Sequence, residues 1–284
     1  MTKLDQKRVR RIFERAATTF DEADFFHAEI RGRLLERLEL FRITPQRIVD
    51  LGAKTGGGIS ALEHRFGDAS VIAVDTSPAM LQQAGSDCRF AVCADSSKLP
   101  FPDLSVDLTF SNLAVQWFDN TDHALREISR VLSRPGLFMF TTLGPASFSE
   151  LRSAWAAVDA YTHVHDFEDM HNVGDALIAA GLRDPVMDVE TISVTYTDPA
   201  RLADDLRSVG STNSSCDRNP GLTGPNAWRR MLAAYNAHRD PAGRYPVTME
   251  VIYGHAWAGE PDPGVSISGG EARFPLSRLR PRSK

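Results

Sequence analysis

The chain has 284 residues, 42% of them hydrophobic and 24% charged, with a formal net charge of −5. This is the balance of an ordinary soluble globule with a full core, either one large domain or one domain with an insert; it speaks against non-specific nucleic-acid binding by the whole surface, and no run approaches the roughly 20 apolar residues of a membrane span. The charged start Met1-Thr2-Lys3-Leu4-Asp5-Gln6-Lys7 has no apolar stretch behind it and is not a secretory signal, and the scattered Cys88, Cys93 and Cys216 suggest neither a disulfide framework nor a zinc site, so a reduced, cytoplasmic setting is expected.

In chain order, residues 5–18 read as a basic amphipathic helix with Val9, Ile12, Phe13 and Ala16 on one face, and residues 25–40 as a second helix with Ile30, Leu34, Leu35 and Leu38 turned inward. Short apolar runs then predict strands at 47–51, 70–75, 90–93, 106–111 and 137–142, with helical stretches beginning near Gly57, Ser77, Asn120 and Ser147. Ser77-Pro78 is a helix start, with serine as cap and proline in the first helical position. Asn120 or Thr121 caps a later helix that Ser133-Arg134-Pro135-Gly136 ends. Beyond about residue 183 the rhythm changes. Residues 186–194 are β-rich, 199–209 and 226–237 have a helical pattern, and 247–257 alternate as a late strand. The sum is an α/β fold with a doubly wound, mostly parallel sheet, in which two helices placed before the last strand form a cap over the carboxyl edge. The expected organisation is N-terminal helices (1–42), an α/β core (43–183), last strands and helical cap (184–260), and a loose Pro/Gly/Arg-rich tail (261–284).

The most informative segment is the turn Asp50-Leu51-Gly52-Ala53-Lys54-Thr55-Gly56-Gly57-Gly58, which follows the first core strand. In open α/β sheets ligands bind beyond the carboxyl ends of the strands, and glycines there let backbone approach the ligand with φ > 0. Asp75 ends the second strand, placed to accept ribose hydroxyls. Asp95-Ser96 follow the third, where a carboxylate can accept from an adenine amino group. Ser111-Asn112-Leu113-Ala114 follow the fourth. The turn departs from the G-x-G-x-x-G pattern of dinucleotide sites, whereas D-x-G-x-x-x-G with an acid at the end of strand two and another after strand three suits S-adenosylmethionine.

On these residues the core resembles a class I S-adenosylmethionine-dependent methyltransferase, and more narrowly the malonyl-acyl-carrier-protein O-methyltransferase (BioC) family of biotin synthesis. The resemblance runs along nearly the whole chain. It is carried by Arg11-Ile12-Phe13-Glu14-Arg15-Ala16-Ala17-Thr18-Thr19-Phe20-Asp21, by Ser111-Asn112-Leu113-Ala114-Val115-Gln116-Trp117-Phe118, which is the most specific match, by residues 141–151, and by residues 206–213 and 247–257. It implies a seven-stranded Rossmann-like sheet, S-adenosyl-L-methionine as cofactor, and a malonyl group on acyl carrier protein (or coenzyme A) as acceptor. No nucleic acid, membrane or metal is implied. The cofactor-binding positions are then Asp50, Gly52, Gly56, Asp75, Asp95, Ser96 and Asn112, with Phe20 standing where some members have a tyrosine facing the cofactor.

The chemistry implied is attack of an ionised carboxylate on a cationic methyl donor, which requires no general base. It calls for a covered, largely apolar site with one or two cations to orient the carboxylate. Arg207, Arg229 and Arg230 are the candidate cations, one of the Arg229–Arg230 pair facing inward or along the cap, and Trp117 with Phe118 a candidate wall of the methyl-transfer site. His163, His165 and His171 lie in an acidic segment and are expected to form a solvated loop rather than a metal site. An acidic carrier protein would dock on a basic patch, either Lys7, Arg8, Arg10, Arg11 and Arg15 or Arg278, Arg280 and Arg282. Lys54 stands where the turn usually has glycine. Its ammonium would repel a sulfonium by about 3 kcal/mol at about 5 Å and an effective dielectric of about 20, unless it swings to solvent or meets the cofactor carboxylate. The alternatives are a different small-molecule methyltransferase, or a degenerate or repurposed fold serving as an assembly or regulatory factor or a hydroxylase.

Overall fold

The computed structural model describes residues 3–85, 88–259, 266–268 and 271–273. Arg278, Arg280, Arg282 and most of the expected loose tail lie outside the described residues; within the tail, β8 (Ser266–Ser268) and β9 (Glu271–Arg273) pair antiparallel. Two helices lead the chain, α1 (Gln6–Ala16) and α2 (Phe25–Leu38). The core then runs β1 (Arg47–Leu51), α3 (Ile59–Arg65), β2 (Ser70–Asp75), α4 (Pro78–Gln83), β3 (Phe90–Cys93), β4 (Val106–Ser111), α5 (Thr121–Val131) and β5 (Leu132–Leu143). It continues through α6 (Ser149–Ala156), α7 (Met170–Ala179), β6 (Leu182–Tyr196), α8 (Pro199–Ser208), α9 (Pro225–Tyr235) and β7 (Tyr245–Ala258).

One seven-stranded sheet has the order β3-β2-β1-β4-β5-β7-β6. The pairs among β1 to β5 are parallel, and β7 enters antiparallel between β5 and β6. The strand order reverses at β1 and β4, so the crevice beyond Leu51 and Ser111 is where such a sheet takes a ligand. Helices cover both faces. Ile48 faces α2 and shares a core with Ile30, Leu34 and Leu38, while its neighbour Val49 points the other way and packs with Leu125, Ile128 and Val131 of α5. Side chains cap the helices as the sequence suggested: Ser77 Oγ accepts from Met80 N, and Asn120 Oδ1 from His123 N.

Helix α1 packs Val9, Phe13 and Ala16 against Phe20, Met80 and Val209, and so lies over the carboxyl edge beside α4. Helices α8 and α9, between β6 and β7, carry Leu202, Met231 and Tyr235 into the main core with Phe148 and Trp155. They form the expected cap. Two features differ from expectation. Strand β5 begins at Leu132, five residues earlier than predicted, because Leu132 pairs with Val106 of β4 before the register shifts. Helix α7 was not expected: it starts at Met170, at the end of the acidic histidine segment read as loop, and runs on to Ala179, capped by Asp169 and docked through Val173 and Leu177. No helix among the described residues is long and apolar enough to cross a membrane.

Candidate active site

The glycine turn and the acids beside it build a polar cradle. Gly52 has φ 75°, and a Cβ there would lie 2.3 Å from the Ala114 Cβ, so only glycine lets the turn close on the segment after β4. Gly56 has φ 81° and a Cβ on it would strike Ala84 and Ile59; it shapes the turn from behind. Asp50 is buried at the end of β1, and burial pushes its carboxyl up to about 6. Asp75 Oδ1 accepts from Ser77 N at 2.8 Å and Oδ2 from Lys54 N at 3.0 Å. Each oxygen keeps a lone pair, so the carboxylate can still receive hydroxyl donors from the crevice. A cavity of about 70 Å³ opens here, lined by Gly52, Lys54, Asp75, Asp95, Ser96 and Trp117 among others.

Lys54 is buried at the edge of this cavity and turns its ammonium onto main-chain carbonyls. It holds φ 53°, the left-handed backbone a glycine would adopt freely, and is only 7% exposed. Its Nζ donates to Asn112 O at 2.9 Å and to Gly52 O and Leu113 O at 3.4 Å. Burial lowers its pKa, while Asp75, Asp50 and Asp24 act to raise it.

A second cavity, about 270 Å³, lies under the cap. Its walls are mainly apolar and aromatic, among them Phe148, Trp155, Trp228, Met231, Tyr235 and Met249. Trp117 lines both cavities, held by an edge-to-face contact with Phe13 at 5.3 Å and another with His165 at 5.3 Å. His165 is buried; its Nε2 accepts from Ser214 N at 2.8 Å, and burial lowers its pKa to about 4, so the ring is neutral at pH 7. His163 stacks on Trp155 at 3.8 Å and bonds Asp159 at 2.9 Å. These two histidines are therefore part of the cap wall and not a solvated loop, while His171 is exposed on α7.

The remaining expected residues divide. Asp95 is exposed on the cradle rim, its Oδ1 taken by Ser97 N and Oγ, and Ser96 is buried beside it. The Asn112 side chain faces away from the cradle: Nδ2 donates to His27 O at 3.0 Å and Oδ1 accepts from Thr141 at 2.9 Å, so only its main-chain carbonyl reaches the turn. Phe20 is buried in the α1 cluster and lines neither cavity. Arg207 lies at the edge of the cap cavity with an exposed side chain paired to Asp204. Arg230 and Arg229 are both exposed and line neither cavity; Trp228 and Met231 take the inward positions of that helix. Sequence reasoning missed a set from α2. Arg31 pairs with Asp24 at 3.1 Å and its guanidinium lies 2.7 Å from where a Gly57 Cβ would be, so α2 covers the outside of the turn. No pattern at 24–31 announces that placement.

A methyltransferase-domain family model matches residues 49–140, the strands and turns of the cradle. The chain is 43% identical to the malonyl-acyl-carrier-protein O-methyltransferase of Halorhodospira halophila, over 99% of this chain and 97% of that protein. It is 44% identical to the protein of the same name from Laribacter hongkongensis, over 89% of each. A solved structure from Thermotoga maritima, described as a S-adenosylmethionine-dependent methyltransferase and possible histamine N-methyltransferase, superposes with a TM-score of 0.54 at 17% identity, covering 88% of this chain and all of that one; it shares the fold.

Proposed function

The chain belongs to the malonyl-acyl-carrier-protein O-methyltransferase family, and from that premise we propose that it transfers a methyl group from S-adenosylmethionine to the free carboxylate of a malonyl thioester, the malonyl group being borne by acyl carrier protein, in an early step of biotin synthesis. It is a methyltransferase by domain and by fold. Nothing in the comparisons supports a repurposed fold.

The observation that carries the reading is the meeting of two unlike cavities at Trp117. The cradle has the groups a nucleoside cofactor with a cationic arm needs: the Asp75 carboxylate for the ribose, the bare backbone at Gly52, and main-chain carbonyls at the ends of β1 and β4. When bound, the cofactor supplies a methyl group on positive sulfur. The chain's own task is then to bring a carboxylate to the other side of Trp117 and keep water away.

A malonyl carboxylate, with an ordinary carboxyl pKa of about 4, is already ionised at neutral pH. No side chain has to remove a proton, and His165 of the cap wall is held neutral with its Nε2 already bonded. Opposite charges cancel as the methyl moves, so an apolar chamber walled by Trp155, Trp228 and Met231 disfavours the charged reactants more than the neutral ester, and alignment supplies much of the rate. Arg207 is the arginine among the cavity-lining residues and takes the role of orienting the carboxylate at the cavity edge. For the carrier protein, Lys7, Arg11 and Arg15 are exposed on α1, which also borders the cradle through Gln6, Val9 and Phe13. Arg8 is otherwise engaged, donating to Asn213 O at 3.0 Å, and Arg10 pairs with Glu14.

The test is transfer of labelled methyl from S-adenosylmethionine to malonyl-carrier protein and to malonyl-coenzyme A, with rescue of a biotin-requiring strain lacking this step. Label in the malonyl methyl ester is the expected result, and Arg11→Glu should slow the carrier-bound substrate more than the coenzyme A form. S-adenosylhomocysteine binding without any label transfer to malonyl thioesters would move the protein to another acceptor.

A further inference from the structure

The Lys54 ammonium occupies a built site. Three main-chain carbonyls converge on it, from Gly52 in the turn and from Asn112 and Leu113 after β4. A lysine ammonium has three donors and no acceptor, so all of its hydrogen-bonding capacity is spent on this cage. No donor remains for a cofactor carboxylate, which removes the one arrangement in which Lys54 holds the cofactor while staying in place. The cage is an acceptor-only pocket at the strand ends, with Asp50 and Asp75 adding negative field. Its natural occupant is a primary ammonium. Lys54 also lines the same small cavity as Asp75, the residue that would hold the ribose, so the cage belongs to the crevice and not to a separate part of the core.

S-adenosylmethionine carries a primary ammonium at the end of its amino-acid arm. Two ammonium groups cannot share one set of three carbonyls: the acceptors are too few, and like charges at contact distance in a buried site repel strongly. Resting on the methyltransferase reading, we propose that Lys54 is an internal plug whose ammonium fills the cage of the ligand-free protein, and that the α-ammonium of the cofactor's amino-acid arm displaces it on binding. The side chain has the length to leave the cage, and glycines at 56, 57 and 58 follow it in the turn.

A plug lowers apparent affinity by the fraction of time it is closed, and does so only for ligands that need the cage. S-adenosylhomocysteine needs it; 5′-methylthioadenosine, which lacks the amino-acid arm, does not. Calorimetry on the intact protein should show Lys54→Gly binding S-adenosylhomocysteine more than about tenfold tighter than wild type, with methylthioadenosine affinity changed less than about threefold. Lys54→Met, which keeps the bulk without the ammonium, should also tighten S-adenosylhomocysteine. In wild type, amine acylation read by mass spectrometry should find Lys54 protected alone and reactive with saturating S-adenosylhomocysteine. Equal S-adenosylhomocysteine affinity in wild type and Lys54→Gly, weaker binding by Lys54→Gly, or protection of Lys54 in both states overturns the plug and leaves the methyltransferase reading standing. No binding by any of the three proteins overturns both.

Discussion

The cradle and the cap cavity sit on either side of one tryptophan and solve opposite problems. Around the glycine turn, Asp50, Asp75, Asp24, Lys54 and Arg31 crowd a space where backbone geometry allows only glycine at key points. Under the cap, the two buried histidines, His27 and His165, have their pKa values lowered by burial, while aromatic and methionine side chains do most of the walling. On the proposed function, a cationic donor would be received by carboxylates and carbonyls fixed at the strand ends. An anionic acceptor gains most where solvent is scarce and a single cation stands at the edge. On the proposed function, the division of charge between the two regions is a division of labour between donor and acceptor.

The sharpest way to break the cradle alone is Gly52→Ala. A methyl group there meets Ala114 at 2.3 Å on a backbone with φ 75°. Overpacking and left-handed strain together should cost about 4 kcal/mol. Urea unfolding at pH 7 checks this; a midpoint equal to wild type would mean that the turn is not held against the segment after β4.

Acid sharpens the comparison because the two regions respond with opposite sign. His165 in the cap is held near 4 by burial, below the ordinary histidine value. As pH falls below about 6.5 the unfolded chain gains a proton there that the folded chain refuses, so stability is lost down to about pH 4 and no further. Asp50 in the cradle is raised to about 6 by burial, so the folded chain takes up its proton first and stability is gained over about pH 6 to pH 4. Relative to wild type, His165→Gln should gain, and Asp50→Asn should lose, about 3 kcal/mol between pH 7 and pH 4. Paired urea titrations at the two pH values read the sign directly; shifts in the same direction would dissolve the contrast.

Much of the cradle was legible in sequence because its signals are local. The ends of β1, β2 and β4 coincide with apolar runs that stop at Leu51, Asp75 and Ser111, and Ser77-Pro78 announces its helix. The cap was legible as helices but not as a wall. Trp228 and Met231, and not Arg229 or Arg230, face inward because α9 packs on α6 and β7, a choice made by distant partners. His165 is buried because Ser214, 49 positions away, gives it a donor, and Lys54 turns inward to carbonyls 58 and 59 positions downstream. Helix α7 has only Val173 and Leu177 fully buried, a stripe too thin to stand out among acids and histidines.

The finest separation comes from two substitutions that should act on one cavity each. Asp75→Asn keeps the shape of a side chain that accepts from Lys54 N and Ser77 N but removes its charge and turns one acceptor into a donor. Charge-assisted bonds to hydroxyl donors are roughly twice as strong as neutral ones, so affinity for S-adenosylhomocysteine should fall by about 2 kcal/mol. The KM for malonyl thioester should hardly move. Arg207→Gln should do the reverse, and more weakly, because its guanidinium is exposed and already shared with Asp204. An exposed charge pair contributes about 1 kcal/mol or less, so a rise in KM of about fivefold with unchanged S-adenosylhomocysteine affinity is the expected reading. A loss of cofactor affinity in Arg207→Gln would mean that the two cavities are coupled through Trp117. An unchanged KM would move the orienting role from Arg207 to a neutral group of the cap wall, such as Asn213 or Tyr196, and leave the acceptor side without an arginine among its described lining residues.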